Sequence, residues 1–226
     1  VLIVTGLMQE ARIAAGLGMT VICSSSNPTQ LRSLLAGFDP GTVRGVISFG
    51  VAGGLDPELE SGDVVVATDV TAGQQSWLAG AALSEELIDD NGLGGRRIVR
   101  ARLVGVEQVV PARSAKAALR RETGAAAVDM ESHIAAAYAA AMGLPFAAVR
   151  VVSDPATRAL PALALDALKP NGDIDTWKVL RGIARKPSVI PSLMRTARDF
   201  NQAIAALRGC RSLLLDRSSG LVPADF

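Results

Sequence analysis

Histidine, cysteine and aromatic side chains are all scarce in this sequence: its 226 residues include one histidine, two cysteines and 4% aromatics. His133 has no second histidine or cysteine near it, and Cys23 and Cys210 lie far apart, so neither a zinc-ligand spacing nor a disulfide framework is present. No metal is expected, and a reducing cytoplasm is the simplest setting. A surplus of one charge sign is missing too, with 23 basic against 22 acidic residues, which argues against a nucleic-acid partner. An uninterrupted apolar span is also lacking. The charge-free stretch 132–149 is long enough to cross a membrane, but Gly143-Leu144-Pro145 divides it and Ser132, His133 and Tyr138 interrupt its apolar character. A buried helix followed by a strand is expected there. The opening VLIVTG has no basic flank or cleavage site and reads as a strand, not a signal peptide.

What is abundant is aliphatic. Hydrophobic residues make up 49% of the chain, enough for one sizeable core. Short apolar runs recur at 1–4, 19–23, 45–50, 63–70, 97–106 and 146–153, separated by segments of helical spacing such as 30–36, 112–122 and 131–142. This alternation predicts a single α/β domain with a mixed, mostly parallel central sheet flanked by helices. The domain is expected over 1–216, with 217–226 as a mobile tail. Residues 157–172 read as loop, followed by helices near 174–184 and 191–207.

Ligands of open α/β sheets sit beyond the carboxyl ends of the strands, which directs attention to four stretches. GVAGGL (50–55) could bring backbone amides to a phosphate or sugar, or could be a tight turn needing positive φ. SSSNP (24–28) could bind an anion at a helix start, or could be an N-cap with Pro28 at the first helical position. SDPA (153–156) offers Asp154 as a general acid or base, or an Asp-Pro turn. In AAAVDMES, Asp129 and Glu131 sit within apolar surroundings, where a carboxylate needs either solvent or a polar partner. His133, Trp77 and Trp177 are read as structural.

Taken in order, GLMQEA, ISFGVAGGLDPELESGDVVVATDV, AVDMES and FAAVRVVSDPA resemble the nucleoside phosphorylase and methylthioadenosine/S-adenosylhomocysteine nucleosidase superfamily. Within it the chain is similar to the hopanoid-associated phosphorylases, whose substrate is adenosylhopane. The resemblance implies phosphorolysis of a purine nucleoside-like substrate, releasing adenine and a ribose 1-phosphate derivative, with no cofactor beyond phosphate as co-substrate. Hydrolysis by the same fold and a non-catalytic nucleoside-binding domain are the alternatives. It implies that Met130 and Glu131 hold the ribose, with Glu131 accepting from both ring hydroxyls, and that Asp154 protonates the departing purine. Asp129 is expected as a helix-start or supporting residue.

The nucleosidases carry a Gly-x-Met-Glu-Glu-Glu run whose last glutamate activates water. Here the run is Gly6-Leu7-Met8-Gln9-Glu10-Ala11, so Ala11 falls at that position and phosphate is the expected nucleophile unless Glu10 takes the role. Phosphate is assigned to Gly6, Arg12, Ser24, Ser25, Ser26 and Gly50. Glu107, Gln108 and Ser153 are assigned to the base. A homo-oligomer is expected. The basic, acid-free segment 176–198 reads as two ordinary helices or as a weak contact with an anionic membrane surface.

Overall fold

The computed structural model describes residues 1–16, 18–80, 96–166, 181 and 185–211. The chain runs β1 (Leu2–Thr5), α1 (Met8–Ala14), β2 (Thr20–Cys23), α2 (Pro28–Ala36), β3 (Val46–Gly54), β4 (Val64–Ala72), β5 (Gln75–Leu78) and β6 (Ile98–Gly105). It continues with α3 (Arg113–Thr123), β7 (Ala127–Asp129), α4 (Ser132–Ala141), β8 (Phe146–Asp154), α5 (Ala162–Asp166) and α6 (Ile190–Gly209). Trp177, 167–172, the tail 217–226 and all of 174–184 except residue 181 lie outside the described residues; within the stretch 157–172, expected as loop, α5 forms a short helix.

All eight strands join one mixed sheet, as expected, with β1 parallel to both β2 and β3. Beyond β3 the sheet closes on itself. β8 pairs parallel with β3 and antiparallel with β4, β4 pairs with β6, β6 with β7, and β7 returns to β3. β3 and β8 therefore run side by side through the middle of the molecule and carry the site residues along their length.

Alternation along the strands divides the core. Leu2, Val4, Val65, Ala148 and Val152 face one layer with α2 and α4, while Ile3, Val64, Val66, Val149 and Val151 face the other with α1 and α6. The alanines of α4 let that helix approach the sheet closely, with Ala135, Ala136 and Ala139 buried. Two strands were not anticipated. β5 is a short hairpin return, and β7 is a three-residue strand inside the stretch that reads as a helix start. GVAGG is not a turn: β3 continues through Gly54, and none of Gly50, Gly53 and Gly54 has positive φ. Lack of space, not backbone handedness, calls for these glycines.

Candidate active site

Arg150 lies in the middle of β8, at an even position that faces α4, and is fully buried. A guanidinium there needs acceptors for its fixed fork of donors. Its Nη2 donates to Ser48 Oγ at 2.6 Å, its Nε to Ser132 Oγ at 3.1 Å, and Nε lies 3.0 Å from Asp129 Oδ2. Glu131 Oε2 stands 3.5 Å from Nη2. Asp129 ends β7 and accepts the backbone amides of Glu131 and Ser132 at 2.8 and 2.7 Å, which fixes the turn that sends Glu131 inward. It is a buried supporting carboxylate. Glu131 also accepts a hydrogen bond from Ser24 Oγ at 3.2 Å, and it packs so tightly on Gly6 that a Cβ there would sit 2.8 Å from Glu131 Oε1.

Glu10, on α1, enters the same cluster. Its carboxylate accepts the amides of Gly6, Leu7 and Val51, each at 2.8 Å, the Leu7 amide being that of the residue capping α1. A Cβ on Gly50 would lie 2.7 Å from this carboxylate and 2.6 Å from Arg150 Nη1. Burial pushes the Glu10 carboxyl up against the opposing pull of Arg150 and the amides. Glu131 is pushed up to about 7, again chiefly by burial, with Arg150 opposing and the neighbouring Asp129 and Glu10 charges adding to it. Glu10, the residue before Ala11, therefore places its carboxylate in the same buried cluster as Glu131 and Arg150.

The other end of the site lies four residues further along β8. At roughly 3.3 Å per residue along a strand, its backbone is about 13 Å from that of Arg150. Asp154 pairs with Lys116 Nζ at 2.6 Å through Oδ2, and Ser153 Oγ stands 2.8 Å from Oδ1. Burial raises the Asp154 carboxyl and Lys116 pulls it back down. Gly53 faces this carboxylate, with a Cβ placed 3.2 Å from Oδ2.

The structure brings Gly6, Ser24, Gly50 and Glu131 together around Arg150, with Met130 next to Glu131 in the chain, and Ser153 with Asp154 at the end of β8. The anticipated phosphate ligands are differently occupied. The Gly6 amide is spent on Glu10, Arg12 is exposed on α1, and Ser24 serves Glu131. Ser25 and Ser26 adopt left-handed φ of 52° and 57°, and the Ser26 amide bonds Gly6 O. Asn27 caps α2 by accepting from the Gln30 amide at 3.0 Å. Glu107 is held by Arg32 and by His133 Nε2, at 3.0 Å from the latter, which lowers its pKa to about 2. Gln108 is exposed beside it.

Sequence reasoning passed over Arg150 and Lys116. The first left a signal, an arginine within an apolar strand. The second left little, since α3 carries several basic residues and only its fold-back against β8 singles one out. Among the described residues no cluster of three or more His, Cys, Asp or Glu could hold a metal, and no helix is long and apolar enough to cross a membrane.

The family described as the phosphorylase superfamily matches residues 27–171. No curated protein matches the chain. Among solved structures, a methylthioadenosine/S-adenosylhomocysteine nucleosidase from Neisseria meningitidis, in complex with methylthio-immucillin-A, is similar with a TM-score of 0.69 at 16% identity, over 94% of this chain and 96% of that one. The Helicobacter pylori nucleosidase with butyl-thio-DADMe-Immucillin-A gives 0.66 at 15%, over 94% of each chain. The futalosine hydrolase of Helicobacter pylori gives 0.59 at 18%, over 68% of this chain and 86% of that one. At these identities the likeness is one of fold.

Proposed function

This chain belongs to the phosphorylase superfamily, and on that footing we propose that it cleaves the N-glycosidic bond of a purine nucleoside-type substrate with water as the nucleophile. The observation that carries the reading is Glu10, buried in the cluster where Glu131 would hold the ribose. As the bond breaks, positive charge develops on the sugar ring and negative charge on the base. Carboxylates at one end of the site and a proton donor at the other stabilise both. Glu131 accepts the ribose hydroxyls, Met130 lies under the sugar, and Glu10 removes a proton from the attacking water. Asp154 gives its proton to the base.

Phosphorolysis is the competing reading, carried by the sequence resemblance. Against it, an anion arriving between Gly6 and Gly50 would meet Glu10 and Glu131, while the guanidinium of Arg150 is already engaged by Asp129, Ser48 and Ser132. The test is product analysis with adenosylhopane, methylthioadenosine and inosine, each with and without phosphate. Free ribose products at a phosphate-independent rate, lost in Glu10→Gln by roughly 10²–10⁴-fold, are expected. A strict requirement for phosphate, with phosphate on the sugar product, overturns the choice of nucleophile.

Adenosylhopane is the substrate candidate carried by the narrower resemblance. Its support here is apolar surface beside the sugar end, where Met8 is 43% exposed. Weak contact with an anionic membrane surface through 176–198 belongs to the same reading. Arg185, Lys186, Ile190, Met194, Arg195 and Arg198 are all exposed there, whereas Trp177 lies outside the described residues. Sedimentation with anionic and neutral vesicles at low and high salt tests it, and no association at low salt removes it. Homo-oligomerisation and a cytoplasmic setting complete the proposal; both cysteines are unpaired.

A further inference from the structure

We propose that Lys116 is the positioning residue of the leaving-group acid: it pins Oδ2 of Asp154, leaves Oδ1 to carry the proton, and stands ready to stabilise the carboxylate once that proton has gone. The inference rests on the reading of Asp154 given above and deepens it. Lys116 is 0% exposed, whereas Arg113 and Arg121 of the same helix are exposed. Its Nζ lies 2.6 Å from Asp154 Oδ2, and it also reaches the carbonyl oxygens of Asp154, Pro155 and Arg158 at 3.0, 3.2 and 3.4 Å. An ammonium has three hydrogens and accepts none. Its three hydrogens are shared among Asp154 Oδ2 and these carbonyls, so partners remain for it whether or not the carboxyl carries a proton.

The oxygen left over is suited to the exchange. Ser153 Oγ lies 2.8 Å from Asp154 Oδ1 and 3.2 Å from Ala52 O, and a hydroxyl has one hydrogen to give. Turned toward Ala52 O, it frees Oδ1 to hold a proton. Turned back, it hydrogen-bonds the carboxylate that remains. In the step itself the Oδ1–H bond breaks, an N–H bond forms on the base, and the electron pair of the glycosidic bond leaves with the base. The negative charge ends on Asp154, beside an ammonium already in place, which is stabilisation arranged in advance of the reaction.

A buried carboxyl with no cation would hold its proton far above neutral pH and would be a weak acid. Burial is the largest influence raising the Asp154 carboxyl, the Asp199 charge adds to it, and Lys116 is the largest opposing influence. The other charges around this carboxyl are Asp199 of α6, paired with Arg158, and Arg113 and Arg195, all lining a pocket of about 240 Å³ that Asp154 also borders. They remain constant when Lys116 alone is changed.

The test is the pH profile of kcat in Lys116→Met and Lys116→Arg, with Asp154→Asn in parallel and adenine release as the readout. In Lys116→Met the maximal rate should fall about 10²-fold or more. Its basic limb should move up by roughly one to three pH units, because the carboxyl now keeps its proton. Lys116→Arg, still charged, should keep the limb near its original place. If the methionine variant does not fold, Lys116→Gln gives the same comparison with a neutral donor. A basic limb that stays put in the neutral variants, or moves equally in Lys116→Arg, reduces Lys116 to a structural residue and overturns the inference. Near wild-type turnover in Asp154→Asn would instead overturn the reading of Asp154 itself.

Discussion

The two ends of the site sit on the same pair of strands, yet their charges are balanced differently. At the sugar end one guanidinium, Arg150, serves Asp129, Glu131 and Glu10, all buried. At the other end one ammonium, Lys116, pairs with Asp154, and the nearby Asp199 is paired with Arg158. The first end has more carboxylates than cations, and Glu131 is pushed up to about 7 chiefly by burial, with the Asp129 and Glu10 charges adding to it. The second is balanced and can release a proton. Under the proposed function, the asymmetry suits a cationic sugar at the first end and an anionic base at the second.

Removing the cation at the crowded end should have the largest effect. Arg150→Met leaves three buried carboxylates without their shared partner, and breaking such a network costs about 3–5 kcal/mol. Denaturant unfolding should show a loss of that size at pH 8 and a smaller one at pH 5, where the carboxyls can protonate. Equal losses at both pH values would mean that the carboxylates are not what Arg150 stabilises. Next in size is the base end: Asp154→Asn should lower kcat by roughly 10²–10⁴-fold with substrate binding largely kept. If binding fell instead and turnover survived, the two ends would have exchanged roles.

Glu131→Gln is expected to cost less, about 1.5–3 kcal/mol in kcat/KM for a riboside and much less for the 2′-deoxy substrate. Undiminished discrimination between the two sugars would remove Glu131 from the ribose. The same variant sharpens the proton argument. Folding raises the Glu131 pKa from 4.5 to about 7, so its contribution to stability is full below the unfolded value and is lost as pH rises through about 7. Wild type should lose more stability between pH 5 and pH 8 than Glu131→Gln does, as measured by the denaturant midpoint at each pH.

The legible parts of the sequence are those governed by local pattern. Apolar runs bounded by turns located six of the eight strands among the described residues, and of the two cap candidates before Pro28, Ser26 and Asn27, the structure uses Asn27. Asp154 and Glu131 stood out because carboxylates at strand and helix ends have a limited set of uses. What local pattern could not carry was closure. β8 lies between β3 and β4, and only that pairing brings Arg150 to Asp129 and to the first loop. Likewise α3 must fold against the end of β8 before Lys116 differs from the arginines around it. Glu10 shows the same limit, since only the folded first loop brings its carboxylate to the Val51 amide and Arg150.

The finest comparison of the two ends comes from two glycines on β3. Gly50 faces the crowded end, where an added Cβ would lie 2.6 Å from Arg150 Nη1 and 2.7 Å from both Glu10 oxygens. Those groups are fixed by several hydrogen bonds and have nowhere to retreat. Gly53 faces the balanced end, where a Cβ would lie 3.2 Å from Asp154 Oδ2 and 3.2 Å from Val128 Cγ1. Here a shift of a few tenths of an ångström is enough, so Gly53→Ala should cost only about 1 kcal/mol, at the low end for an overpacked core site. Its stability cost should be clearly smaller than that of Gly50→Ala. Because the shift falls on the Asp154 carboxyl, kcat should drop further than that small stability loss would suggest, with the fold intact by thermal melting. A Gly53→Ala enzyme with unchanged kcat would show that Asp154 tolerates displacement, and that the base end is less exactingly built than its ion pair implies.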